Sequence, residues 1–409
     1  MHCRRPIAIC GPLLAIGLTA SSCDKHAPSE APPPLTAEAY VWQDPARPEV
    51  REAVAAAHPA FGTLHFRAAE FRWTGRDFAI DQVVTDRLPS PGCGLVVRIG
   101  QSAAQLEWTD AQCRAVEACV ASLARLGPRE IQCDYDCPQA RLGDYCRLLK
   151  RLRAAAGAVP VVPTTLPSWL AESGFAELAE ESPGYVLQVH SLTLPRAPEE
   201  EVVLLDPALA RRSVDRAAAL GVPFRVAMPT YGCEVWFDAG DRVIEVISED
   251  RAPEGLAPAR RSYGYAEPAM AAKLVGGWID ARPAGLTGVI WYRLPIASDR
   301  RNWAWPTLQK VMRGEIPKPG LRIEAAESGG DVALVNHGDA PARLPLRLIA
   351  RGPIQAADAI GAYRLESGGT ETVFRFTGDG WPWIEPANRL VVGWITTRDP
   401  ASKVTWEIE

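Results

Sequence analysis

The chain has 409 residues, 47% hydrophobic and 23% charged, which is ample apolar material for a large core and for more than one domain. That composition excludes an intrinsically disordered chain. A formal net charge of -5, with no basic run after the first few positions, excludes the electrostatic footprint of a nucleic-acid binder.

At the start of the chain Arg4 and Arg5 precede an apolar stretch over 7–18, followed by Thr19-Ala20-Ser21-Ser22-Cys23. The stretch is too short to serve as a permanent membrane span. Small residues running up to a cysteine resemble a bacterial lipoprotein signal, in which Cys23 is lipidated and becomes the first mature residue. Ala20 stands where leucine is commoner, and an ordinary signal peptide cleaved nearby is the alternative. In that resemblance Asp24, directly after Cys23, implies retention at the inner membrane, with the globular part in the periplasm. Residues 24–35 carry Pro28 and Pro32-Pro33-Pro34 without hydrophobic periodicity, and read as a tether. The expectation is therefore a signal over 1–23 and a tether over 24–35.

Strand-like and helix-like runs then alternate. Strands are predicted at 39–43, 63–73, 94–99, 130–136, 159–166, 185–191, 223–231 and 288–294. Helical periodicity covers 48–58, 110–126, 142–156, 167–179, 208–220, 268–281 and 307–313, while 74–91 is irregular. Parallel strands need crossover helices, and eight such units match an α/β fold of the (β/α)8 TIM-barrel type over 36–316. Beyond Ile316-Pro317-Lys318-Pro319-Gly320, a linker, short alternating runs at 321–325, 331–336, 345–350, 372–376 and 389–396 predict a small all-β sandwich over 320–409. Of the ten cysteines, three fall in the signal, and the seven that remain are odd in number, so at least one is unpaired within the chain. Export permits disulfides. Their spacing lacks the pairs typical of zinc sites, so buried thiols or disulfides are expected, and no cofactor.

A barrel places its chemistry at the C-terminal ends of the strands. There Ile131-Gln132-Cys133-Asp134-Tyr135-Asp136-Cys137-Pro138 puts Gln132, Asp134 and Asp136 on one face and apolar residues on the other. Carboxylates brought together raise the pKa of one, which is how a site obtains a general acid beside a carboxylate. Asp136, at the strand end, reads as acid/base or nucleophile and Glu70 as its partner. Asp134, Gln188, His190, Tyr231, Trp42, Trp291 and Arg293 read as substrate-binding. Asp134 also has a purely structural reading, neutralised by Arg98 and Arg225, as His190 has one in the core. Abundant tryptophan suits the stacking of sugar rings.

The acidic strand together with Arg141-Leu142 and Tyr145, Thr164-Thr165-Leu166-Pro167-Ser168-Trp169-Leu170, Leu187-Gln188-Val189-His190, Trp291-Tyr292-Arg293-Leu294-Pro295 and the late Leu334-Val335-Asn336-His337-Gly338-Asp339 resembles the bacterial proteins grouped as domain of unknown function 3142. The resemblance implies a glycoside-hydrolase-like barrel and a place in the cell envelope, and no particular reaction. The acidic strand is also similar to the chitinase-type motif, whose alternating aspartates are followed by a catalytic glutamate. With Asp134 and Asp136 on its last two aspartates, Pro138 stands where that glutamate belongs, so the borrowed mechanism fails. The expected function is action on an envelope or imported polysaccharide. The alternative is a non-catalytic barrel binding a glycan or envelope partner, and a third reading takes Asp134, Asp136 and His190 as metal ligands.

Overall fold

Alternation of apolar strands with amphipathic helices builds the barrel, seen in a computed structural model that describes residues 34–57, 59–104, 106–190, 194–248, 255–325, 329–366, 371–378, 380–398 and 403–409. The expected signal, the Cys23 lipidation site, Asp24 and nearly all of the tether lie outside the described residues. Among the described residues no helix is long and apolar enough to cross a membrane.

The strands are β1 (Thr36–Val41), β2 (Thr63–Trp73), β3 (Phe78–Gln82), β4 (Gly94–Ile99), β5 (Ile131–Tyr135), β6 (Val161–Thr165), β7 (Tyr185–Gln188), β8 (Phe224–Pro229), β9 (Gly232–Phe237), β10 (Val243–Ile247), β11 (Arg260–Tyr265) and β12 (Leu286–Tyr292). Parallel pairing runs β1, β12, β8, β7, β6, β5, β4, β2 and returns to β1, so eight strands close into a TIM barrel. The helices are α1 (Pro48–Ala57), α2 (Asp110–Ala124), α3 (Leu142–Ala156), α4 (Ser173–Glu180), α5 (Pro207–Ala219), α6 (Pro268–Asp280) and α7 (Trp305–Met312). Their starts follow local chemistry: Thr109 and Gln112 form a capping box on α2, and Asp206 caps α5 with Pro207 in its first turn.

Three features depart from the expected pattern. First, β1 begins at Thr36 rather than 39, because the charged Glu38 lies inside a strand and is satisfied there by buried partners. Second, β3 fills the irregular 74–91 segment by pairing antiparallel with β2. Third, β9, β10 and β11 form a separate antiparallel sheet between β8 and α6. The near-continuous apolar run from β8 into β9 hides the turn between them.

After α7 come two four-stranded antiparallel sheets. One pairs Leu321–Ala325, Gly329–Asn336, Arg389–Thr397 and Ile354–Ala359, and the other Tyr363–Glu366, Thr372–Phe376, Arg347–Arg351 and Thr405–Ile408. Val332, Leu334, Val392 and Ile395 of the first share a core with Leu348, Tyr363 and Phe374 of the second, which makes a sandwich. The strands at 354–359, 363–366 and 405–408 escaped the sequence pattern because they are largely solvent-facing, without clean apolar alternation. The sandwich is fastened to the barrel: Thr307 Oγ1 of α7 donates to the Asp339 carbonyl at 2.8 Å, and Lys310 pairs with Asp339. Leu35–Glu409 forms one compact unit.

Inside the barrel the inward residues stack in layers. Next to the N-terminal ends of the strands lies a closed polar network. Arg225 donates to Glu38 and to Glu130, both at 2.7 Å. Gln132 donates to Glu130 at 2.8 Å and to His65 Nδ1 at 3.1 Å, while Tyr40 donates to Gln132 Oε1 at 2.6 Å. With Nδ1 accepting, the ring proton sits on Nε2 and is given to Glu38, 2.7 Å away. Burial opposes ionisation of Glu38, but His65 and Arg225 outweigh it and hold the carboxyl at about 2. Above this layer Val96, Val162, Val186, Ala227 and Ile290 make an apolar belt.

Gly94 is what lets His65 occupy that layer, since a Cβ at 94 would stand 2.2 Å from His65 Nδ1. The ring is fully buried and bonded at both nitrogens, so it has nowhere to retreat. Gly94→Ala is therefore expected to cost ~2 kcal/mol of unfolding free energy in urea titration. Gly143→Ala on α3, where a Cβ meets nothing within 4 Å, should be neutral or slightly stabilising. Equal effects of the two would show that the packing around His65 is not what constrains position 94.

Candidate functional site

A cleft of about 1020 Å³ opens at the C-terminal ends of the barrel strands. The acidic strand β5 forms its floor. Tyr135, pointing outward, packs edge-on against Trp108 and Tyr145, and the Tyr145 hydroxyl donates to the Cys133 carbonyl at 2.8 Å. This outward anchoring fixes Asp134 and Asp136 on the inward face.

The two carboxylates have different surroundings. Asp134 is buried and accepts from Thr164 Oγ1 at 2.7 Å, Arg98 at 3.2 Å and Gln188 Nε2 at 3.3 Å. Asp136 accepts from the same Gln188 nitrogen at 3.4 Å. One amide thus bridges both acids, and the two hydrogen bonds laid end to end are the most that can separate the Oδ1 atoms. Burial, reinforced by the negative charge of Asp134, pushes the Asp136 carboxyl up to about 6; Arg98 and the Gln188 hydrogen bond only partly oppose this.

Aromatic rings form the opposite wall. Tyr292 stands 5.1 Å from Trp42 and 5.4 Å from Tyr231, ring centre to ring centre, and stacks on His190 at 5.6 Å with the planes 8° apart. The Arg98 guanidinium lies 5.5 Å from the Trp42 ring centre. Burial drives the His190 imidazole down to about 4, Asp134 and Arg98 acting in opposite senses, so the ring is neutral at pH 7. Burial likewise raises the Tyr231 hydroxyl, which remains a proton donor. Arg212, Ser213 and Arg216 of α5 complete one rim.

Of the residues expected at the site, Asp134, Asp136, Gln188, His190, Tyr231 and Trp42 line the cleft together. Glu70, Trp291 and Arg293 do not. A bulge between Arg67 and Ala69 lets β2 present Glu70 beside Arg98, and its carboxylate takes Arg67 at 3.3 Å and Arg98 at 3.8 Å. Asp136 therefore has Asp134 as its near carboxylate, in the place expected for Glu70. Trp291 is buried in the core against Trp303. The Arg293 guanidinium is buried on Asp299, at 2.8 Å from Nε, and donates to the Ser248 carbonyl at 2.8 Å. Arg225, considered as a neutraliser of Asp134, instead serves Glu38 and Glu130.

Several cleft residues went unassigned in the sequence, Thr164, Tyr292 and the α5 residues Arg212 and Arg216 among them, and Arg98 was assigned only a structural part. Tyr292 was recoverable: counting by twos from Gly288 puts Ile290 and Tyr292 inward and Trp291 outward. Ile290 in the apolar belt and Tyr292 in the cleft wall mark that inward phase, and at Gly288 a Cβ would stand 2.0 Å from Thr36 Oγ1. Among the described residues no group of three acidic, histidine or cysteine side chains is placed to hold a metal, so Asp134, Asp136 and His190 are not gathered as ligands. All seven cysteines there, Cys133 and Cys137 on either side of the acidic pair included, are buried free thiols.

Comparison with known proteins places this site in context. No curated protein matches the chain. Among solved structures, the chitinase ChiA74 from Bacillus thuringiensis is 8% identical, covering 92% of this chain and 100% of its own, with a TM-score of 0.45. A chitinase from Chromobacterium violaceum is 13% identical over 68% of this chain and 98% of its own, with a TM-score of 0.44. The spore cortex-lytic enzyme SleL of Bacillus cereus is 11% identical over 69% of this chain and 74% of its own, with a TM-score of 0.45. Residues 321–398, in the sandwich, match a domain of unknown function, DUF8456. Residues 91–297, half of the chain and the greater part of the barrel with its acidic strand, match domain of unknown function DUF3142, and the chain belongs to that family.

Proposed function

We propose that the barrel hydrolyses a glycosidic bond in an envelope or imported polysaccharide, with Asp136 as the general acid. The observation that carries this reading is the bridged pair at the end of β5: two carboxylates on one amide, one of them held by Arg98, at the floor of an aromatic-walled cleft. A carboxyl near 6 keeps its proton at mildly acidic pH and can give it to a leaving-group oxygen. Asp134, with its charge fixed by Arg98 and Thr164, would stabilise positive charge developing on the sugar ring. Trp42 and Tyr292 would seat that ring, and neutral His190 and Tyr231 would orient its hydroxyls. The signal-like residues 4–23 support an envelope location with Cys23 as the lipid anchor.

A second reading, glycan binding without hydrolysis, is favoured by one observation. Among the described residues the cleft wall carries no acid beyond Asp134 and Asp136, and Asp134 is already engaged by three donors.

Release of reducing ends from a panel of bacterial envelope and exopolysaccharide glycans separates the two. Hydrolysis predicts that Asp136→Asn loses activity by about a hundredfold or more. It also predicts that kcat/KM falls as pH rises through about 6, where Asp136 gives up its proton. Wild-type protein that binds a glycan yet releases nothing from it would establish the binding reading.

The same carboxyl makes a stability prediction. A folded-state pKa raised from 3.8 to about 6 favours the protonated form in the native state. Its stabilising contribution is thus complete below about pH 4 and lost as pH rises through about 6. Asp136→Asn cannot ionise and should be more stable than wild type at pH 7 by ~3 kcal/mol, with the gap closing toward pH 4. Chemical denaturation at both pH values measures this, and a constant gap would refute it.

A further inference from the structure

A second cleft, of about 920 Å³, lies outside the barrel between α1, the chain segment after β12 and the 381–390 segment of the sandwich. Half-buried Trp305, Trp381 and Trp383 stand in its wall. The Trp381 and Trp383 ring centres are 4.8 Å apart with planes at 46°, and Trp383 leans on Tyr265 at 5.1 Å and 31°. These rings are braced from behind. Arg301 lies 5.7 Å from the Trp381 ring centre and Arg343 6.0 Å from that of Trp383. Between them sits Glu385, buried, with one carboxylate oxygen taking the Tyr265 hydroxyl and the other the Ala304 amide at 3.2 Å.

Neither the barrel mechanism nor the sandwich core uses this arrangement. Indole faces left partly open to solvent cost free energy unless something covers them. The lining also names the chemistry of the cover. Glu49, Glu52, Asp299 and Glu385 share the wall with Arg300 and Arg389, and Glu49 and Asp299 are paired with Arg47 and Arg293, so the lining is of mixed charge and favours a neutral ligand; with Asn388 it supplies polar partners that an acyl chain could not use. A neutral sugar has the matching surface, an apolar ring face edged with hydroxyls. The carboxyl of Glu385, raised to about 7 by burial against the Tyr265 and Ala304 hydrogen bonds, can both accept and donate near neutral pH.

We propose that this seam between barrel and sandwich is a second carbohydrate-binding site, with Trp383 and Trp381 as stacking platform and Glu385 and Asn388 as hydroxyl partners for neutral sugar rings. It requires no hydrolysis in the barrel and stands or falls separately from the role of Asp136.

The test is affinity electrophoresis of the full chain in native gels containing glycol chitin, xylan, laminarin or, as the anionic contrast, alginate. At least one neutral polymer should retard the protein. That retardation should persist in Trp42→Ala, which disables the barrel cleft, and weaken about tenfold in affinity in Trp383→Ala. Trp383→Phe should restore most of it. If Trp383→Ala melts early, the exposed Asn388→Asp carries the test, with a weakening of about threefold expected. Absence of retardation by any neutral polymer, retardation by alginate alone, or Trp383 and Asn388 variants that migrate as wild type would each overturn the proposal.

Discussion

Two carboxylates one strand step apart cannot both shed their protons inside a half-enclosed cleft unless a cation compensates them, and β5 presents such a pair. The barrel meets this constraint unevenly. Arg98 leans on Asp134, Thr164 adds a hydroxyl from the neighbouring strand, and Asp136 is left with a shared amide and the field of its neighbour. Arg225 cannot redress the balance, because Glu38 and Glu130 occupy it on the other side of the apolar belt. What makes Asp136 chemically distinctive is thus a matter of allocation. The fold gives its inner acids unequal shares of positive charge, and Asp136, buried beside Asp134, has its carboxyl pushed up to about 6.

The fold was legible because its signals are periodic and local. Continuous apolar runs such as Gly94–Ile99, separated by helices with clear caps, can hardly be arranged otherwise than as parallel strands with crossovers. What escaped was non-local or polar. Glu38 looks like the end of a strand until His65, 27 residues on, and Arg225, 187 residues on, are seen to satisfy it. The β9 to β11 sheet follows β8 with so little polar interruption that composition alone does not show where the barrel stops. In the sandwich, the solvent-facing strands carry no alternation to read.

At the site, legibility followed the same division. Alternation along one strand correctly grouped Asp134 with Asp136 and Gln188 with His190, since a strand admits only two faces. It could not choose partners between strands. Glu70 and Arg98 are register neighbours, and Arg98 lines the cleft while Glu70 is held against Arg67 and Arg98 beside it. In β12 the choice between Trp291 and Tyr292 is one of phase: Ile290 and Tyr292 face the barrel interior, and Trp291 between them turns into the core against Trp303.

Pro138 joins these threads. The motif that the acidic strand resembles carries a glutamate two residues past its last aspartate, but here β5 ends at Tyr135, and Pro138 begins the turn into a short 3-10 segment over Gln139–Arg141. The acids that line the cleft among the described residues are then Asp134 on β5 and Asp136 one residue past its end. Asp136 is shorter than a glutamate by one methylene and stands two residues before Pro138 in the chain. Under the proposed function, a sugar reaching it would pass Trp42, Tyr292 and His190 to a carboxyl already desolvated by burial. The raised pKa of Asp136 follows from its burial and the charge of Asp134, and under the proposed function these favour a substrate that can enter the cleft deeply.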